Sequence, residues 1–244
     1  MAAAGREEQD RRLRVLCGTA HAAGARRCRT IGGVEIVNRV VGPAGTNLYV
    51  LADPASREAI AIDTAIPSVA WLADALAERG WSLTLIVSTH GHWDHIGDNA
   101  AVAAHTGAPI AVHPADRAML EHPEPLFAPF PIPPSVPAVE LAEGGRIAFG
   151  SIVLDVLHTP GHTPGSVCLA VRGEATLISG DTLFSGGPGR VDLPGGDPGA
   201  MVESLARLAR LDPSLRVLPG HGPATTIADE LPWIGSVVRA GSLW

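Results

Sequence analysis

Residues 89–95 read Thr-His-Gly-His-Trp-Asp-His, which places four potential metal ligands, His90, His92, Asp94 and His95, within six consecutive positions. One histidine in such a stretch is ordinarily a surface or hydrogen-bonding residue; four ligands at this density point to a cation. The preceding residues 83–88, Leu-Thr-Leu-Ile-Val-Ser, form an apolar run that reads as a buried strand. The histidines therefore fall in the loop leaving that strand, where alternate side chains can turn towards one point. The His-x-His-x-Asp-His spacing can present two ligand pairs to two adjacent ions. Imidazole together with carboxylate suits borderline divalent metals such as Zn²⁺, Fe²⁺ or Mn²⁺.

Three further polar residues sit at strand ends beside glycine. His162 lies in Thr-Pro-Gly-His-Thr-Pro-Gly-Ser at 159–166, Asp181 ends Leu-Ile-Ser-Gly-Asp at 177–181, and His221 lies in Leu-Pro-Gly-His-Gly at 218–222. Glycine allows a sharp turn and a close approach of backbone to an ion. Taken singly, each is more simply a capping or hydrogen-bonding residue; taken with the first loop, they complete a set of seven. Asp63, which closes the strand Ala-Ile-Asp, is either an acceptor that orients a ligand histidine or a strand-end cap.

The rest of the chain supplies strands in two groups, each with helices. Strands are expected at 31–41, 46–52, 58–63, 83–88 and 109–113, then at 146–149, 152–157, 167–171, 175–179 and 216–218. Helices are expected at 67–80, 99–105, 114–120 and 198–211, with helix or coil closing the chain. Residues 122–137 contain seven prolines and read as a stiff extended loop. Two strand groups in this order fit a four-layer α/β sandwich with two central sheets better than one doubly wound sheet. Residues 1–30 carry seven of the 18 arginines and no sustained period, so they read as a poorly ordered extension, and 31–244 as one domain.

Composition narrows the chemistry. All 18 basic residues are Arg, which excludes lysine Schiff bases and a P-loop lysine. A net charge of −7 argues against a nucleic-acid partner. No apolar run is long enough for a membrane span, and three Cys make no disulfide framework, so a cytoplasmic setting without membrane association is expected. Cys17 and Cys28 are read as ordinary thiols of the extension.

These motifs, in this order from residue 31 to about 230, resemble those of the metallo-β-lactamase superfamily. The resemblance implies an αββα sandwich. It implies that His90, His92 and His162 hold one metal, that Asp94, His95 and His221 hold a second, and that Asp181 bridges both. Zn²⁺ is the first expectation, with Fe²⁺ or Mn²⁺ as alternatives. Asp181 follows the hydrolase pattern, where β-lactamases usually lack an acid, so antibiotic hydrolysis is not expected. His92 occupies the position of a glutamate in flavodiiron proteins and speaks against that branch.

The stretch at 186–197, Gly-Gly-Pro-Gly-Arg-Val-Asp-Leu-Pro-Gly-Gly-Asp, resembles hydroxyacylglutathione-hydrolase-like (glyoxalase II-like) enzymes, and also persulfide dioxygenases. The expected reaction is attack by a metal-bridging hydroxide on a thioester or ester carbonyl, with an S-acylglutathione-like small molecule as the first class to test and lactones as another. Asp94 and Asp181 are both candidates for moving the water proton. The alternative is a mononuclear iron persulfide dioxygenase built on His90, His162 and Asp181. With 23 residues after His221, the helical domain that grips glutathione in full-length hydrolases is not expected. Among the loops, Arg190 is expected to brace against Asp192 or Asp197 rather than meet substrate. Trp93 is expected to pack in the core, and Phe127 and Phe130 to cover the site or pack on their own domain. His105, His113, His122 and His158 receive no role.

Overall fold

The computed structural model describes residues 33–124 and 128–243. Residues 1–30, with Cys17 and Cys28, and also Phe127 lie outside the described residues. The first sheet has six strands in the spatial order of the chain: β1 (Glu35–Val41), β2 (Thr46–Ala52), β3 (Glu58–Ile62), β4 (Ser82–Val87), β5 (Ile110–Val112) and β6 (Val139–Glu140). The second holds β7 (Arg146–Phe149), β8 (Ile152–His158), β9 (Val167–Val171), β10 (Thr176–Gly180), β13 (Arg216–Pro219) and β14 (Thr225–Thr226), in the order β14-β13-β10-β9-β8-β7. A hairpin, β11 (Leu183–Phe184) and β12 (Gly187–Pro188), stands apart. The helices are α1 (Val69–Arg79), α2 (Trp93–Ile96), α3 (Asn99–Thr106), α4 (Arg117–Glu121), α5 (Pro198–Leu208) and α6 (Ile227–Ala240).

Strand periodicity explains the four layers. All seven residues of β2 are buried. Leu48, Val50 and Ala52 join a core with Leu72, Leu76 and Val102 of α1 and α3, while Tyr49 and Leu51 turn to the opposite face. There they meet Leu154, Val156 and Leu169 of the second sheet. A run apolar at every position is what a strand covered on both faces requires. The second sheet repeats the division: Val167 and Leu169 face the first sheet, and Cys168 faces Met201, Leu205 and Ile234 of α5 and α6. Three apolar layers thus separate helix, sheet, sheet and helix, the αββα sandwich expected from the strand grouping. No helix among the described residues is long and apolar enough to cross a membrane.

Several boundaries differ from expectation. The segment after β4 is not wholly loop: residues 93–96 make one helical turn, so Asp94 and His95 project from a helix rather than from alternating extended backbone. The tight 3.6-residue turn is what lets two adjacent ligands point near the same spot. β6, β11, β12 and β14 were not anticipated; at two residues each they carry no readable period. The closing segment is helical despite Pro232, with Thr226 accepting the Asp229 N–H at its start and Ile227 and Ile234 buried. Helix α5 stops at Leu208.

Topology puts the ligand-bearing loops at one edge. Strands β8 and β10 both run antiparallel to β9, and β13 runs parallel to β10, so their carboxyl ends coincide. The two sheets are stapled there by backbone bonds: Val167 N–H donates to Thr89 O (2.9 Å) and Asn47 N–H to Gly220 O (2.7 Å). Leu51, fully buried between the sheets, tests this core. Leu51→Ala is expected to cost about 2–5 kcal/mol in denaturant unfolding; a loss below about 1 kcal/mol would contradict the packing described.

Candidate metal centre

At that edge the seven expected residues converge. His92 Nδ1 lies 2.8 Å from His162 Nε2, and His95 Nε2 lies 3.1 Å from His221 Nε2. Asp94 Oδ2 is 3.2 Å from His221 Nε2 and 3.6 Å from His95 Nε2. Asp181 stands between the groups, with Oδ1 3.4 Å from His95 Nε2 and Oδ2 3.4 Å from His162 Nε2 and 3.5 Å from His221 Nε2. His90 completes the set, its ring centroid 4.1 Å from that of His95 and 4.7 Å from that of His162. Three triads gather one ligand atom per residue: His90, His92 and His162; His90, His95 and Asp181; and Asp94, His95 and His221.

Outer partners fix how the rings face. Asp63 is buried in the left-handed region at φ 59°, a conformation Asp tolerates better than most non-glycine residues. Its Oδ1 accepts the Thr89 N–H (2.8 Å), and its Oδ2 accepts the Thr89 hydroxyl (2.8 Å) and His95 Nδ1–H (2.9 Å). Because the Thr89 hydroxyl donates to Asp63, its oxygen accepts from His90 Nδ1 at 3.1 Å. His162 Nδ1 donates to the carbonyl of Arg190 (2.7 Å). Three rings therefore spend Nδ1 outward and aim Nε2 into the cluster, the arrangement that metal-binding histidines use. Asp63 is thus the orienting acceptor, and not merely a strand-end cap.

The electrostatics select a cation. Burial, followed by the neighbouring histidines, depresses His90 well below the usual imidazole range, and the same causes push His92 down to about 4. Both rings are neutral at neutral pH and keep a lone pair. For His95, burial works downward, but Asp181, Asp94 and Asp63 outweigh it and raise its affinity for a proton. The carboxyls of Asp94 and Asp181 are held low despite burial, by His95 foremost. His90 Nε2, His92 Nε2 and Asp181 Oδ1 are buried without a hydrogen-bond partner. Such orphans are rare and call for an explanation. Ligand atoms on a tetrahedral ion at ~2.0–2.1 Å stand about 3.3 Å apart, within the spread of separations here. The donor set fits divalent metal.

A residue pattern of this kind has clear relatives. The metallo-beta-lactamase superfamily model matches residues 41–221. The chain belongs to that superfamily. A hydroxyacylglutathione hydrolase from Anaeromyxobacter dehalogenans (strain 2CP-C) is 40% identical over 196 residues, covering 79% of this chain and 68% of that protein. The crystal structure of BLEG-1, a B3 metallo-beta-lactamase, superposes with a TM-score of 0.76 at 34% identity, over 81% of this chain and 97% of that one. TTHA1623 in a di-iron-bound form gives a TM-score of 0.72 at 37% identity, over 80% and 96%.

The surrounding loops partly match expectation. Arg190 forks onto Asp192 with two contacts of 2.8 Å, the expected brace, though both residues are exposed. Trp93 packs edge-on against Phe130, with ring centroids 6.1 Å apart, and also walls a cleft of about 500 Å³ over the cluster, so its core and pocket roles coexist. His158 donates to or accepts nothing from the cluster; its Nε2 meets Pro164 O at 2.8 Å.

Sequence reasoning missed Asp116, a fully buried carboxylate between the two main ligand loops. It accepts from Gly91 N–H (2.9 Å), Thr163 Oγ1 (2.7 Å) and Gly165 N–H (2.7 Å). Burial raises its pKa against those donors. Nothing in His-Pro-Ala-Asp signals this role, because the partners lie up to 49 residues away. Asn47 was also missed; it donates to Pro219 O and Gly222 O, both 2.9 Å, on either side of His221.

Two outcomes follow. Asp63→Ala is expected to weaken metal affinity by about 10–100-fold in competition with a chromophoric chelator, while His105→Ala leaves it unchanged. Asp116→Ala leaves the buried Gly91 and Gly165 N–H groups unpaired, each costing about 1–3 kcal/mol, and is expected to lower the unfolding midpoint markedly even with metal removed.

Proposed function

We propose that this chain is a metal-dependent hydrolase of thioesters, with S-acylglutathione-like small molecules as its first substrate class. The observation that carries the reading is the floor of the cleft. Its lining includes His92, Asp94, His162, Asp181 and His221, and among the described residues there it has no Ser, Thr, Cys or Lys to act as a nucleophile. With the carboxylates and imidazoles of the floor engaged as metal ligands in this reading, water is the attacking group. The 40% identity to a hydroxyacylglutathione hydrolase supports the thioester over other carbonyl compounds.

His90, His92 and His162 would hold one ion and Asp94, His95 and His221 the other, with Asp181 shared between them. Divalent ions in such a pair supply a water of lowered pKa and a Lewis acid for the carbonyl oxygen. Zn²⁺ suits the donor set; iron suits it as well, and the related TTHA1623 is a di-iron form. Asp94 is the more exposed of the two carboxylates, its side chain at 15% against 9% for Asp181. It is placed to take the proton of the attacking water and deliver it to the leaving sulfur, which balances the reaction: a C–O bond forms, the C–S bond breaks, and carboxylic acid and thiol result. Asp181, enclosed by His95, His162 and His221, orients rather than shuttles. Among the described residues Arg190 is the one arginine lining the cleft, and its fork onto Asp192 leaves Nη1 for an anionic thiol carrier on that side.

Elemental analysis of protein purified without oxygen or chelator is expected to give close to two ions per chain. Thioester turnover should vanish on chelation and in Asp181→Asn, and return when metal is restored. One iron per chain with oxygen uptake on a persulfide, and no thioester turnover, would replace this reading with the dioxygenase.

A further inference from the structure

Beside the cleft over the metal centre lies a second hollow of about 380 Å³. The two share His92 and Trp93 as a common wall. The second is built from Ala115, Ala118, Met119, Pro164 and Pro194, with the exposed His122 and Glu124 at its margin. Its floor is pressed against the ligand loop: a Cβ on Gly91 would meet Met119 Cβ at 2.6 Å, so only glycine between His90 and His92 lets Met119 lie there. The small Ala115 and Ala118 on the opposing helical segment keep the hollow open. Nothing in the metal chemistry needs this space.

We propose that this groove is the acyl subsite, taking an unbranched, uncharged acyl chain. The inference rests on the thioester reading and extends it. A thioester carbonyl carries two substituents that leave it in opposite directions, and the His92–Trp93 wall has one hollow on each side. The side bearing Arg190 suits an anionic group. The Met119 side offers apolar surface, and its one carboxylate, Glu124, repels an anion. Apolar walls with few polar groups are the ordinary chemistry of a small-molecule site in this volume range. A chain of several methylenes gains contact there, whereas a short hydroxylated acyl group gains none.

The test uses the purified full-length chain with its metal. N-acetylcysteamine thioesters bearing acetyl, butanoyl and hexanoyl chains vary the acyl group while the thiol stays fixed. In wild type, kcat/KM is expected to rise by about tenfold from acetyl to hexanoyl, as partial burial of four methylenes predicts. In Ala118→Trp, and independently in Pro194→Trp from the opposite wall, the hexanoyl-to-acetyl ratio should fall to about one. Both positions are exposed, and thermal melts identify a variant that fails to fold. A second readout needs no turnover: saturation-transfer NMR with hexanamide on chelator-treated protein should show transfer to the alkyl chain in wild type and loss of it in both variants. A flat acyl series on an enzyme that hydrolyses acetyl thioester overturns the groove and leaves the thioester reading intact, as does an absence of hexanamide transfer. If no thioester turns over but the hexanamide signal disappears in the variants, the groove stands as an alkyl-binding site and the thioester reading falls.

Discussion

The site depends on a carboxylate that never needs to touch a metal. Asp63 ends β3 in a left-handed backbone conformation, almost fully buried, and its two oxygens take the Thr89 N–H, the Thr89 hydroxyl and His95 Nδ1. A buried carboxylate is costly unless its lone pairs are filled; here three donors fill them. The consequence runs outward. Thr89, fixed by Asp63, accepts from His90, and its carbonyl accepts from Val167 across the sheet interface. One residue thereby sets two ligand rings and the point where the two sheets close on each other. The αββα layers supply the rigidity this needs, because the ligand loops leave strands of the two central sheets that pack face to face.

Electrostatics at the cluster are arranged for a cation and poorly arranged without one. Five imidazoles and two carboxylates meet in a largely buried space: burial, then the neighbouring histidines, push His90 and His92 down, while opposite charges at close range outweigh burial to push His95 and His221 up and Asp94 and Asp181 down. A proton on His95 partly answers the carboxylates but leaves His90 Nε2, His92 Nε2 and Asp181 Oδ1 without partners. A cation of higher charge meets His90 Nε2, His92 Nδ1 and the carboxylates together. Folding energy and metal affinity are therefore coupled: the sandwich holds the ligands in an unsatisfied arrangement, and metal binding relieves it.

What could be read from the chain, and what could not, divides along the range of the interactions. The seven residues that converge at this edge were legible because each carries a local mark, a dense His-x-His-x-Asp-His run or a glycine-flanked strand end. The strand groups were legible because β2, β3 and β9 have the length and composition of doubly covered strands. Asp116 and Asn47 were not legible. Each is an ordinary polar residue until the fold brings Gly91, Thr163 and Gly165 to one and the flanks of His221 to the other. The helical turn at Trp93–Ile96 was missed for a related reason: four residues are too few to show a period, and their conformation is decided by the buried contacts of His95 and Ile96.

The same division bears on substrate choice. The candidate ligands are concentrated in residues that local pattern identifies, whereas the walls of the cleft come from loops whose neighbours are distant in the chain. The β11–β12 hairpin illustrates it. Phe184 and Pro188 line the cleft, and the hairpin's Gly186 N–H is held at 2.8 Å by Glu230, a buried carboxylate from the first turn of α6 that also accepts from Thr225 and Trp233. The helix on the outer layer thus positions a wall of the cleft through one carboxylate. In this chain such a wall can shift without disturbing the cluster, because Asp63 and Asp116 hold the ligand loops independently of Glu230. That separation fits the likeness of this chain both to a hydroxyacylglutathione hydrolase and to a lactamase: a shared fold does not fix a shared substrate.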